Sequence, residues 1–331
     1  MRGLVFAGAN KMEMRDVASP DPAHDDALVR VDAVGICGSD LHAYKGHDPR
    51  RVPPMILGHE FVGTVLAGPM VGQRVTANPL VVCGECRYCV EGRTNLCSNR
   101  TMIGMSRPGA FAQRLAVPRQ CLIAVPDSVS DRAAALTEPA ATVIHALALA
   151  ERALVRPLAE ARTLVIGAGA IGLLAALALA RRCVRPPVVV ETNALRRTTL
   201  TKALGDVAAS PERVASEMAG HFDLVFDAVG IEVTRNLSIK AAAAGGTVVH
   251  AGLGDWTTPL DWRDLTLREI ALIGCYTYST ADLRVALDAL GAGGFGSLDW
   301  VEERALDDGA AAFDDLVSGR AAAPKILLRP T

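Results

Sequence analysis

A chain of 331 residues is long enough for two domains with complete cores. Half of its residues are apolar and about a fifth are charged, with 34 basic side chains against 36 acidic ones. That balance excludes disorder and gives no electrostatic reason to expect nucleic acid or an anionic membrane as partner.

Residues 27–33 alternate apolar and polar side chains, which predicts a half-buried strand. Residues 61–67 predict a second, with Gly63 at a bulge. Strands at 74–77 and 111–117 continue the pattern, punctuated by Pro53, Pro54 and Pro79. Residues 1–140 therefore read as a small β-rich domain. Residues 140–152 predict a helix, and from there strand and helix alternate. Strands are expected at 163–166, 188–191, 222–227 and 247–251, and helices at 171–181, 195–204 and 234–244. Such alternation predicts an α/β unit, a doubly wound parallel sheet with helices on both faces. A strand at 269–275, a helix at 281–290 and strand-like pieces after Gly294 complete the chain. The tail is expected to return to the first domain, giving 1–140 with 285–331 as one domain and 141–284 as the other.

Cys83, Cys86, Cys89 and Cys97 follow the spacing C-x2-C-x2-C-x7-C, close enough for four thiolates to surround one tetrahedral zinc. Gly84 and Gly92 allow the tight turns that bring the sulfurs together. Disulfides are not expected: residues 1–10 lack the apolar core of a secretion signal, and the spacing is that of a metal site. A reducing, cytoplasmic compartment follows. Cys121, Cys183 and Cys275 lie in apolar stretches and read as small core residues. Residues 163–180 carry no charge, but three glycines within them point to strand, turn and buried helix instead of a membrane span. Lysine is scarce (Lys11, Lys45, Lys202, Lys240 and Lys325) and arginine abundant, which reads as genome composition.

Gly167, Gly169 and Gly172 form G-x-G-x-x-G, with Ala168, Ala170 and Ile171 between them. The first glycine permits the turn, the second lets backbone approach a pyrophosphate, and the third allows close helix–strand packing. The helix N-terminus offers free N–H groups to phosphates. Glu191, 19 residues after Gly172, is placed to accept from the adenosine ribose hydroxyls, which favours NAD. Arg196 and Arg197, after Thr192, leave NADP open, since an arginine there could meet a 2′-phosphate. Val229 and Gly252 sit at two later strand ends where backbone passes close to the cofactor.

A second set of metal-type residues comprises Cys37, His59, Glu60 and Glu138, in the motifs G-x-C-G-S-D, G-H-E and E-P. Cysteine, histidine and carboxylate all bind zinc, and a catalytic zinc keeps one position open. Asp40 is a suitable partner for a ring N–H of His59.

With these motifs in this order, the chain resembles the zinc-dependent medium-chain alcohol and polyol dehydrogenases over essentially its whole length. The resemblance implies a GroES-like catalytic domain carrying a structural zinc, a Rossmann domain, and hydride transfer between an alcohol and a nicotinamide. It implies that Cys37, His59 and Glu138 bind the catalytic zinc, with Glu60 as a shared candidate. It also implies that Ser39 contacts the substrate oxygen and that His42 ends a proton relay at solvent. A glutamate as third ligand is similar to the sorbitol, butanediol and threonine dehydrogenase branch. A secondary alcohol or polyol is the expected substrate, L-threonine the alternative, and a homodimer or homotetramer the expected assembly. The loop Gly68 to Gly72 is shorter than the family pattern. A non-catalytic nucleotide-binding protein on this fold should have lost the open zinc ligands, which this chain retains.

Overall fold

The structure, a computed structural model, describes residues 1–330. The chain divides into two compact units. The first takes residues 1–141, 278–293 and 298 onward; the second takes 142–277 and 294–297. The chain re-enters the first unit at Tyr278, ahead of residue 285. The helix Thr280–Gly291 is tied to that unit at its start, where Asn78 Nδ2 donates to Thr280 Oγ1 at 3.0 Å.

In the first unit, among the described residues, a seven-stranded sheet runs Leu122–Ala124, Arg74–Ala77, Glu60–Ala67, Asp26–Gly35, Lys325–Arg329, Val301–Ala305, with Arg114–Pro118 also paired to Asp26–Gly35. Leu4, Phe61, Phe111, Phe313 and Leu328 fill its core. Val31 lies opposite Gly63 and Ala33 opposite Val62, so the extra residue is Asp32. The bulge expected at Gly63 is thus on the partner strand. Gly63 is nonetheless required, because a Cβ there would lie 2.2 Å from the Arg30 carbonyl oxygen. Lys325–Arg329 pairs antiparallel with the end of Asp26–Gly35, Leu327 opposite Gly35, which sets the C-terminal strand beside the segment leading to Cys37. Between the last two strands, where the sequence read strand-like pieces, Gly309–Val317 is a helix. Its apolar Ala312, Phe313 and Leu316 fall on one helical face.

In the second unit six parallel strands run Ala208–Ala209, Val188–Val190, Thr163–Ile166, Phe222–Asp227, Ala242–His250, Ala271–Gly274. Numbered within that unit the order is 3-2-1-4-5-6, the doubly wound order of dinucleotide-binding sheets. Leu164, Val225 and Val248 sit at the centre of its core. Cys121 is buried, but Cys183 and Cys275 are only half-buried and do not belong to a core. Cys183 donates instead to the Leu158 carbonyl at 3.2 Å. No helix among the described residues is long and apolar enough to cross a membrane.

Candidate active site

The four cysteines of the lobe converge. Sulfur–sulfur distances are 3.5 Å for Cys83–Cys97, 3.6 Å for Cys86–Cys89 and 4.0 Å for Cys83–Cys89. A tetrahedron with Zn–S bonds of about 2.3 Å has edges of about 3.8 Å, so the donor set fits zinc. It is far too wide for a disulfide of about 2.05 Å. Gly84 and Gly92 take φ of +81° and +77°, a region L side chains resist. The Cys83 and Cys86 N–H groups donate to the sulfurs of Cys97 and Cys83, both at 3.4 Å, which helps disperse thiolate charge.

The second cluster is built where a loop becomes a helix. Cys37 is the N-cap of Gly38–Tyr44, and its N–H donates to Asp40 Oδ2 at 3.1 Å. Gly58, at φ +94°, turns the chain into His59 and Glu60; a Cβ there would strike the Phe111 ring at 2.9 Å. Donor atoms of Cys37, His59 and Glu60 lie within 4.8 Å of one another, with both His59 and Glu60 buried. Asp40 Oδ1 faces His59 Nδ1 at 3.6 Å, beyond hydrogen-bond range. Both atoms are buried without a partner. Orphaned polar atoms beside a Cys–His–carboxylate set are what an open zinc site without its cation would leave. Burial depresses the His59 pKa, but Asp40 and then Cys37 overcome it and hold it at about 10. A cation held there would take the place of that proton.

Both carboxylates are held by residues that sequence analysis missed. Glu60 Oε2 accepts from Lys325 Nζ at 2.5 Å, and Nζ also donates to the Ile36 carbonyl at 2.8 Å. Burial disfavours the ammonium, yet Glu60 and Cys37 raise its pKa above the ordinary lysine value. Gly35 makes room: a Cβ there would lie 2.2 Å from Glu60 Oε2. Glu138 stands outside the tight trio. It is buried, and its Oε1 accepts from the Tyr278 hydroxyl at 2.5 Å. Burial lifts its pKa to about 7, with His59 opposing and Glu60 adding. The one available signal for Lys325 was a rare lysine inside the apolar strand Lys325–Arg329; Tyr278 gave none.

Ser39 is two residues beyond Cys37. Its Oγ accepts from Arg51 at 3.1 Å. Arg51, also missed, is buried and pairs with Asp48 at 2.6 Å. Burial would raise the Asp48 pKa, but Arg50 and Arg51 hold it near 2. His42 is half-buried, and burial, Lys45 and His47 lower its pKa, so it is neutral at pH 7.

In the second unit Gly167 follows the strand at φ +90° and Gly169 caps the helix Ala170–Arg182 with no side chain over its N–H groups. Ala170 and Ile171 form the first turn. Gly172 cannot be replaced without movement, since a Cβ would lie 1.7 Å from the Gly167 carbonyl oxygen. Gly252 packs as closely, its Cβ position 2.2 Å from the Val229 carbonyl carbon, and Val229 itself abuts Gly167. Glu191 is buried and bridges the loop, accepting from Ala168 N at 2.9 Å and Asn193 N at 2.7 Å. Arg197 folds back onto the Glu191 and Thr192 carbonyls. Arg196 Nε is buried without a partner.

Residues 23–127 match the model of the alcohol dehydrogenase GroES-like domain, and residues 170–292 that of the zinc-binding dehydrogenases. L-threonine 3-dehydrogenase of Idiomarina loihiensis is 30% identical over 325 residues, 93% of each chain. A zinc-binding dehydrogenase from Sinorhizobium meliloti, solved with NADP, is 29% identical at TM-score 0.88, covering 99% of both chains. Acetophenone reductase from Geotrichum candidum, solved with NAD, is 30% identical at TM-score 0.87, covering 99% of this chain and 96% of its own. A GroES-like unit with Cys–His–Glu donors, joined to a Rossmann unit, defines a zinc-binding oxidoreductase. The chain belongs to the zinc-dependent medium-chain alcohol dehydrogenase family and is an enzyme that uses a nicotinamide cofactor. The non-catalytic reading is thereby set aside.

Proposed function

We propose that this enzyme oxidises a secondary alcohol or polyol with NAD, using one zinc at the Cys37–His59 cluster and a second, structural zinc in the four-cysteine lobe. The convergence of half-buried Cys37 with buried His59 and Glu60 carries the reading. Zinc held there supplies Lewis-acid chemistry that lowers the pKa of the substrate hydroxyl. Cys37 and His59 are the fixed donors. Glu60 and Glu138 are two carboxylates each anchored at one oxygen, by Lys325 and Tyr278. Arginine can only donate, so the Arg51 bond occupies a Ser39 lone pair and leaves the Ser39 O–H free to rotate. His42, neutral and partly exposed, can take up the departing proton.

The buried cations of this cluster favour an uncharged substrate. Lys325 is matched by Glu60 and Arg51 by Asp48. L-threonine, whose carboxylate needs a cation, is the second reading, favoured by the relatives that act on it. Turnover across polyols, secondary diols and L-threonine with both cofactors decides between them. NAD should give the higher kcat/KM, because Glu191 would repel a 2′-phosphate and Arg197 is engaged elsewhere. A preference for NADP that Arg196→Ala reverses would assign ribose recognition to that arginine.

Ser39→Ala should lower kcat by on the order of 10²-fold, as for lost acid–base help. An unchanged kcat with hydride transfer rate-limiting would reduce Ser39 to a turn residue. The eight free cysteines suit a reducing cytoplasm. A homodimer or homotetramer fits Ala271–Gly274, which ends the described sheet of the second unit with one edge unpaired and Leu272 partly exposed.

A further inference from the structure

The glycine turn, Glu191 and Val229 lie at the C-terminal ends of the strands in the second unit. At the opposite ends of three of these strands is a separate cavity of about 620 Å³. It is lined by Arg156 and Arg162, which precede the strand Thr163–Ile166, by Arg185 ahead of Val188–Val190, and by His221 ahead of Phe222–Asp227. Strands of three to six residues at about 3.3 Å per residue put it roughly 10–20 Å from the glycine turn.

Three arginines line the cavity, and two of them face one carboxylate. Arg162 Nε approaches Asp223 Oδ2 at 3.3 Å and Arg156 Nε approaches Asp223 Oδ1 at 3.4 Å. The Arg162 N–H also donates to Asp223 Oδ2 at 2.8 Å. Burial opposes ionisation of Asp223, but Arg162 and Arg156 hold its pKa below the ordinary value, so it is charged at neutral pH. Three positive charges less one negative leave an excess of two. Among the described residues no salt bridge engages Arg185, which is exposed. Thr163 lines the same cavity.

We propose that this cavity is a second anion site, distinct from the nucleotide loop, and that it takes a phosphoryl dianion. Guanidinium forks match phosphate oxygens in geometry, and the excess of two charges matches a dianion. The volume falls within the range of small-molecule sites and exceeds what a bare phosphate needs, so the shared chemistry covers free phosphate and a phosphate monoester.

Binding of labelled inorganic phosphate to the zinc-loaded enzyme tests this by equilibrium dialysis. Saturating NADH occupies the glycine turn, and chloride matches the ionic strength. About one phosphate per chain is expected, with affinity at least about tenfold weaker in Arg185→Glu and again in Arg156→Glu, the loss of an opposed charge in a partly exposed site. Neither variant should alter NADH binding. Saturation absent at millimolar phosphate, or binding that both variants keep, would overturn the proposal. Phenyl phosphate separates the two sources: tighter binding than the free ion assigns the cavity to a monoester, weaker binding to phosphate itself.

Discussion

Cys37→Ala abolishes turnover while leaving NADH affinity close to that of the wild type. The thiolate is one donor of the proposed trio, and the Lewis-acid contribution of a zinc held there would be worth several kcal/mol, on the order of 10³-fold or more in kcat. The nucleotide loop, by contrast, belongs wholly to the second unit, where Gly167, Gly172, Glu191 and Gly252 hold their positions through contacts among themselves. NADH fluorescence titration and steady-state rates on one preparation check both halves. A variant that keeps a substantial fraction of kcat would remove Cys37 from the ligand set. One that loses both properties would point to misfolding instead.

Lys325→Met should produce the largest loss of stability of any single substitution at the site. The ammonium and Glu60 are each 1% exposed in their side chains, and removing one partner leaves a buried carboxylate uncompensated. Breaking such a pair costs about 3–5 kcal/mol. Replacing both partners by apolar groups of similar volume costs much less, so Lys325→Met with Glu60→Met should recover part of the loss. Denaturant unfolding of zinc-free protein gives these differences without a contribution from altered metal affinity. Single and double variants of equal, small effect would show that the pair is not the coupled, desolvated unit described.

What the sequence revealed was chemistry confined to short segments. The C-x2-C-x2-C-x7-C lobe was legible because four sulfurs within 15 residues can reach one point only through local turns, and Gly84 and Gly92 supply these. Gly167 to Gly172 was legible for the same reason, with the strand before it and the helix after it fixed by hydrophobic pattern. Lys325 and Tyr278 were not, because their partners are 265 and 140 positions away and the pairing depends on sheet order. A lysine in an apolar strand carries no sign of which carboxylate it will meet. The roles of Glu60 and Glu138 were left open for a related reason: spacing names the donors, whereas their distances from Cys37 depend on how strands from distant segments register. The helix Gly309–Val317 was read as strand-like although Ala312, Phe313 and Leu316 recur at helical spacing, so its period was legible; what the sequence did not show is that Leu4 and Leu328 pack against its start at Gly309.

Two separate donor sets should each hold one zinc, and only the Cys37 set should do chemistry. Zinc content and turnover, measured together on protein purified without chelator, test this most directly. The wild type should carry about two zinc ions per chain, and Cys37→Ala about one, inactive but folded. Two zinc ions retained in Cys37→Ala, or wild-type turnover that survives complete removal of zinc, would contradict it.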